Sequence, residues 1–237
     1  MIEYGPLIHR FGHLDGQALL EPMLARVFPG RIAIVSSFGA ESAVLLHMVA
    51  GIDRTVPVIF LDTGKLFAET LAYRDRLVAR LGLENVRSQA PDVQALERHD
   101  ADGRLHASDP DACCHVRKVE PLERALSGLQ AWVTGRKRFH GGARAGLATL
   151  EAADWRLKIN PLARWSRDDV ERYSEAHKLP RHPLAAQGFA SIGCAPCTQA
   201  PGPGGGLRDG RWAGTDKTEC GIHWTLNGRP MRQVSGS

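Results

Sequence analysis

Three observations predict an α/β fold built on a parallel sheet with helices on both faces. Short runs rich in β-branched residues recur along the chain, and each ends in a break bearing serine, threonine or glycine. Helical apolar periodicity follows the first two breaks.

Residues 31–36 are the first predicted strand, and Ser36-Ser37-Phe38-Gly39-Ala40 breaks it. Residues 41–50 read as a helix with Ala43, Val44, Leu45 and Leu46 in its apolar stripe. Residues 56–61 are a second strand, closed by Asp62-Thr63-Gly64, and 67–81 a long amphipathic helix stopped by Gly82. Residues 84–88 give a third strand and 131–134 a fourth, ending at Gly135. Ser166-Arg167-Asp168-Asp169 has the spacing of a capping box and opens a helix to about Lys178, which Pro180 and Pro183 close. Gly202 to Gly206, with Pro201 and Pro203, cannot hold regular structure and reads as a flexible connector. The residues after Trp224 read as a tail, and there is no internal repeat.

Ligands of such sheets bind at the carboxyl ends of the strands. Three loops fall there: Ser36-Ser37-Phe38-Gly39, Asp62-Thr63-Gly64-Lys65 and Gly135-Arg136-Lys137-Arg138. The first turns from a strand into a helix, so free backbone N–H groups and a positive helix end would face a bound anion. Ser36, Ser37 and Ser42 add hydroxyls. The bland alternative is a tight turn with no ligand. The loop is not a Walker A loop, since it lacks the Gly-Lys-Ser/Thr element.

The five cysteines fall into Cys113-Cys114, Cys194-x-x-Cys197 and a lone Cys220. Two pairs plus one is the arithmetic of a metal or iron–sulfur site with a separate nucleophile. Neighbouring side chains on a helix diverge by ~100°, which suits a cluster with several corners better than one tetrahedral zinc. A structural zinc site is the plainer alternative, and a redox disulfide lacks its thioredoxin context. Residues 115–120 read as a helix start after the first pair. Lys118, four residues beyond Cys114, then shares its helix face, where a solvated surface lysine is the bland reading.

The chain has 237 residues, 30 basic and 26 acidic side chains and a net charge of +4, which suits a small anionic substrate and does not demand nucleic acid. The basic residues are scattered and aromatics are 6%, a weak footprint for RNA binding. No signal peptide opens the chain, and no apolar run approaches the ~20 residues that span a bilayer. A cytoplasmic protein with reduced thiols and no membrane partner is the expectation.

Read together, these motifs resemble the assimilatory sulfonucleotide reductases, which act on adenosine 5'-phosphosulfate (APS) or its 3'-phosphorylated sibling (PAPS). The match runs from about residue 31 to 223: Ser36 to Ser42, Leu61-Asp62-Thr63-Gly64, Cys113-Cys114 with Lys118, Thr134-Gly135, Ile159-Asn160-Pro161-Leu162, Cys194-x-x-Cys197 and Glu219-Cys220-Gly221-Ile222-His223. The first loop does not match the Ser-Gly-Gly-x-Asp-Ser loop of the ATP pyrophosphatases, whose fold is otherwise suggested.

The resemblance implies the adenine-nucleotide α-hydrolase-like fold. Residues 1–200 would form one domain with an N-terminal helical segment, and 201–237 a hinge and a mobile tail carrying Cys220. Cys113, Cys114, Cys194 and Cys197 would hold a [4Fe-4S] cluster that is electrostatic and structural, not an electron carrier. Cys220 would attack the substrate sulfur, release AMP and carry an S-sulfocysteine, and a separate thioredoxin or glutaredoxin would release sulfite. His223 and Lys118 would assist. Ser36, Ser37, Phe38, Gly39, Glu41, Ser42, Leu61, Asp62, Thr63, Gly64, Gly135, Arg136, Lys137, Arg208 and Arg211 would bind substrate. Intact cysteine pairs point to APS, with PAPS reduction and a tRNA-thiolating or RNA-binding protein as the alternatives. Many family members carry Gly-Leu-Arg-Arg-Glu-Gln where this chain has Gly135-Arg136-Lys137-Arg138-Phe139-His140. A homo-oligomer is compatible with this reading.

Overall fold

The structure, a computed structural model, describes residues 3–153, 155–202 and 204–223. Pro203 of the expected connector and the expected tail beyond Trp224 lie outside the described residues.

A six-stranded sheet has the order β3-β2-β1-β4-β6-β5, with β1 Ile32–Val35, β2 Val58–Leu61, β3 Val86–Gln89, β4 Ala131–Val133, β5 Leu150–Ala153 and β6 Arg156–Ile159. Every pairing is parallel except β5 with β6. β1 lies between β2 and β4, so the chain leaves it toward β2 and later returns on the opposite side. The strand order reverses there, and a crevice opens above the carboxyl ends of β1 and β4.

The central strands alternate which side chain goes to which face. Ile32 and Ile34 of β1, Val58 and Phe60 of β2, and Ala131 and Val133 of β4 join the larger core, shared with α3 (Ser42–Ile52), α4 (Ala68–Leu81) and α9 (Arg167–Ala176). Ala33, Val35, Ile59 and Trp132 face the other way, onto Leu122 and Leu126 of α8 (Glu120–Ala125) and its end. The N-terminal helices α1 (Gly5–Phe11) and α2 (Gly16–Pro22) complete the larger layer, with Leu19, Leu20 and the following Met23 fully buried. Tyr4 ties this segment to the sheet, its hydroxyl donating to the Trp155 carbonyl at 2.7 Å.

The expected strands, α3 and α4 form within a few residues of their predicted bounds. Gly82 caps α4 in the left-handed region at φ 62°. Ser166 and Asp169 make the reciprocal capping box of α9. Two differences are informative. β5 and β6 were not expected, because Leu-Glu-Ala-Ala is poor strand sequence; the hairpin exists because β6 pairs with the open edge of β4. The helix expected to start after the paired cysteines begins earlier instead, at Pro110 of α7 (Pro110–Cys114). Asp109 caps it, accepting from Asp111 N at 3.0 Å and Ala112 N at 2.9 Å, and proline occupies the first turn, where its missing N–H costs nothing. A wide turn, His115–Val119, carries the helix on into α8.

His182, 1% exposed, docks the segment after α9 on α4. Leu184 N donates to its Nδ1 at 3.2 Å, so its proton lies on Nε2, which faces Thr70 Oγ1 at 3.1 Å. Burial lowers its pKa from 6.5 to about 4. A histidine with a depressed folded pKa contributes stability above its unfolded pKa that is lost as pH falls through 6.5 toward 4. Urea unfolding at pH 7 and pH 5 should show the wild type losing about 2 kcal/mol more over that interval than His182→Asn. Equal losses would contradict this assignment.

Candidate active site

A cavity of about 210 Å³ opens above the carboxyl ends of β1, β2 and β4. From the first loop it takes Ser36, Ser37, Gly39, Glu41 and Ser42; from β2 it takes Leu61; from the loop after β4 it takes Gly135, Arg136 and Lys137. Lys118, Cys194, Arg208, Arg211, Cys220 and His223 complete the expected residues that line it.

Four expected substrate residues lie off this lining. Phe38 is fully buried at φ 47° and meets the Phe60 ring edge-on at 5.5 Å. Its apolar ring is spent on the core, which fixes the bend of the loop. Asp62 turns back on its own loop, accepting from Gly64 N at 3.1 Å, while Thr63 faces the cysteine segment. Thr63 Oγ1 lies 3.3 Å from Cys194 Sγ, and Ala195 N donates to the Lys65 carbonyl at 2.7 Å. Arg117 braces the loop, donating from Nη1 to the Thr63 carbonyl at 2.7 Å and from Nε to Asp100 at 2.9 Å.

The five thiols are brought to one side of the cavity. Cys114 and Cys220 pack together with Trp212, and Cys197 lies against them. Burial raises the Cys113 and Cys197 thiols, and the neighbouring Cys194 raises both further. Among the described residues, no three histidine, cysteine, aspartate or glutamate side chains are already arranged as metal ligands. The donor chemistry nevertheless fits a soft metal centre. Helix α7 supplies two thiols and the turn Ala195–Cys197, with Cys194 before it, supplies two more. Lys118, Arg211 and Lys217 provide positive charge beside Cys197.

Cys220 is held well below the usual thiol range, first by a hydrogen bond from Cys114, then by Lys118 and Arg211 acting against burial. Cys114 is pushed up by the same bond. Lys118 is no surface lysine. Burial opposes its charge, but Cys220, Cys194 and Cys114 outweigh that and hold its pKa above the ordinary range. Glycine at 193 lets Arg211 in: an added Cβ would lie 2.2 Å from its Nη2. Glycine at 210 serves the close pairing of Thr198 with Arg211, since a Cβ there would lie 1.9 Å from the Gln199 carbonyl oxygen.

His223 is neutral, burial and Lys158 pushing its pKa well below 6.5. Its ring stacks parallel to Trp132 with centroids 6.5 Å apart, and Lys158 Nζ lies 3.2 Å from its Nδ1.

The basic loop is largely neutralised from within. Arg136 pairs with buried Glu151. Lys137 donates to Glu41 at 2.7 Å, and His140 Nε2 lies 3.1 Å from the same oxygen. Despite burial, these partners lower the Glu41 pKa to about 2. Arg138 turns away, donating to the Leu147 carbonyl at 2.7 Å.

Sequence reasoning missed Arg144, Lys158, His140, Trp132 and Trp212. Lys158 in a strand reads as a solvent-facing side chain, yet it is fully buried over the Trp132 ring at 4.6 Å. Trp212 sits at φ 50°, where bulky residues are rare. Arg208, Arg211 and Lys217 gather around its ring at 5.7, 4.4 and 5.7 Å. Nothing in the local sequence of Gly141-Gly142-Ala143-Arg144 marks Arg144 as part of the site.

Residues 31–200 match the phosphoadenosine phosphosulfate reductase domain. The chain is 56% identical over 213 residues to an adenosine 5'-phosphosulfate reductase of Mesorhizobium japonicum, covering 90% of this chain and 84% of that protein. It is 41% identical to one from Rhodococcus opacus, covering 81% and 79%. Among solved structures, a PAPS reductase from Candida auris in complex with phosphate superposes with a TM-score of 0.70 at 25% identity, over 84% of this chain and 99% of that one. An FMN adenylyltransferase from Candida glabrata shares the fold at a TM-score of 0.54 and 17% identity, over 76% and 59%.

Gly193→Ala should force Arg211 from its seat while sparing the fold. Calorimetry should show sulfate affinity falling about tenfold or more, on the scale of one charged hydrogen bond. Unchanged affinity would show that Arg211 does not hold the anion.

Proposed function

Because the chain belongs to the phosphoadenosine phosphosulfate reductase domain family, we propose that it reduces adenosine 5'-phosphosulfate to sulfite and AMP in assimilatory sulfate reduction. The observation that carries this reading is the position of Cys220, a thiol favoured as thiolate in the cavity the βα loops form. The names of the relatives at 56% and 41% identity support APS over PAPS.

The Cys220 thiolate attacks the sulfur of the phosphosulfate. An S–S bond forms, the S–O bond to the phosphate breaks, and AMP leaves with the electron pair. Lys118, Arg208 and Arg211 line the same cavity as Cys220 and would offset the charge growing on the leaving phosphate. A dithiol protein of the thioredoxin or glutaredoxin class, in the cytoplasm, then attacks Cys220 Sγ. Sulfite departs with the electrons of the S–S bond, and the second thiol of the reductant resolves the mixed disulfide, returning Cys220 and an oxidised reductant. Residues 201–237 would act as the hinge and tail that carry Cys220 between the two steps.

Cys113, Cys114, Cys194 and Cys197 would hold a [4Fe-4S] cluster, which would supply negative charge and a rigid tie without carrying electrons. A Cys114 sulfur bound in this way no longer donates to Cys220, so Lys118 and Arg211 remain as the groups favouring the Cys220 thiolate. Ser36, Ser37, Gly39, Glu41, Ser42, Leu61 and Gly135 line the cavity and would hold the nucleotide.

The test is side-by-side turnover of APS and PAPS with reduced thioredoxin. APS should be reduced and PAPS far more slowly, and Cys220→Ser should release no sulfite. Retained activity in that variant would contradict the role of Cys220. Protein purified without oxygen should be brown and contain iron and sulfide in equal amounts. A colourless protein with stoichiometric zinc would contradict the cluster.

A further inference from the structure

Glu219 and Arg144 form a buried polar junction between the Cys220 segment and the core, beside the Lys217–Asp111 ion pair of the same segment. Arg144 donates from Nε to Oε2 at 2.6 Å and from Nη2 to Oε1 at 2.8 Å, a bidentate pair with both side chains at most 10% exposed. Arg208 adds a contact at 3.2 Å. The Cys220 backbone N–H donates to Oε1 of the same carboxylate at 3.0 Å. Arg144 itself is braced by His140, whose Nδ1 lies 3.1 Å from Nη1 and whose Nε2 reaches Glu41. An unbroken polar chain thus runs from the first βα loop to the backbone of Cys220.

The same segment walls the cavity, through Glu219, Cys220, Ile222 and His223. With it docked, the cavity holds about 210 Å³, below the ~300–1,000 Å³ usual for small-molecule sites. Cys220 is 9% exposed in this docked arrangement, so its sulfur is out of reach of a protein reductant and this wall must move during a turnover.

We propose that Arg144 is a positioning residue that seats Cys220 through Glu219, and that this pair is a latch which parts once per turnover. The inference rests on the reading of Cys220 as nucleophile. While the latch holds, the thiol faces the strand ends and is shielded; when it parts, the sulfur becomes reachable from outside. Removing Glu219 strips Arg144 and Arg208 of their carboxylate, and removing Arg144 leaves Glu219 with the single 3.2 Å contact to Arg208 in place of a bidentate pair, so either substitution should open the segment.

The test compares wild type, Glu219→Gln, Arg144→Gln and the double variant in two assays. Iodoacetamide labelling of Cys220, read by peptide mass spectrometry without nucleotide and at the plateau of each pH profile, reports access rather than thiol ionisation. Each single variant should label at least tenfold faster than wild type, and the double variant no faster than the singles, because both act on one contact. In single turnover, adduct formation from APS should slow in Glu219→Gln, while thioredoxin should release sulfite from preformed adduct at least as fast as in wild type. Unchanged labelling in both single variants, with folded state confirmed by thermal melts, would overturn the latch. Faster labelling together with no Cys220 adduct in wild type would leave the latch standing and overturn the catalytic reading instead.

Discussion

Six lysine and arginine side chains line one cavity, and desolvated cations must be compensated while no anionic ligand is bound. The site meets this constraint with internal anions: Glu41 for Lys137, Glu151 for Arg136 and Glu219 for Arg144 and Arg208. Lys118 and Arg211 face the thiols instead. Each anion also does positional work. Glu41 ties the first loop to the loop after β4, Glu151 joins the added hairpin to that loop, and Glu219 joins the Cys220 segment to the core. Asn160, fully buried, reinforces the middle tie by donating to Glu151 at 2.7 Å and accepting from Thr134 at 2.6 Å.

This distribution separates two kinds of cation. Arg136 and Lys137 are held by carboxylates whose partners are fixed within the fold, so their charge mainly organises the loops. Lys118, Arg208 and Arg211 lie near the Cys220 thiol; Arg208 is shared with Glu219, while the charge of Lys118 and Arg211 is turned to the thiols. Trp212 keeps two of these, Arg208 and Arg211, over its ring faces, a neutral means of holding like charges together.

Much of this was legible in the sequence. Strand runs, the Gly82 stop and the Ser166 capping box follow local rules and reappear in the structure. The first loop and the basic loop were readable as neighbours because both follow strands of a parallel sheet, whose carboxyl ends hold ligands; that β1 and β4 are adjacent came from the structure. What was not legible depends on long-range partners. Nothing local marks Lys158 as buried, or makes residues 150–153 a strand, until β4 offers its edge. Phe38 looked like part of a ligand loop, but its ring is taken by Phe60, a residue in the next strand. The role of Arg144 required Glu219, 75 positions away.

The central claim is that Cys220 is the residue that takes the sulfur from the nucleotide. Its most direct measurement is intact and peptide mass spectrometry of anaerobically prepared protein incubated with APS and no reductant. The account predicts one sulfonate per chain, located on Cys220, with one AMP released for each. AMP release without a modified Cys220, or a sulfonate on Cys113, Cys114, Cys194 or Cys197, would contradict it.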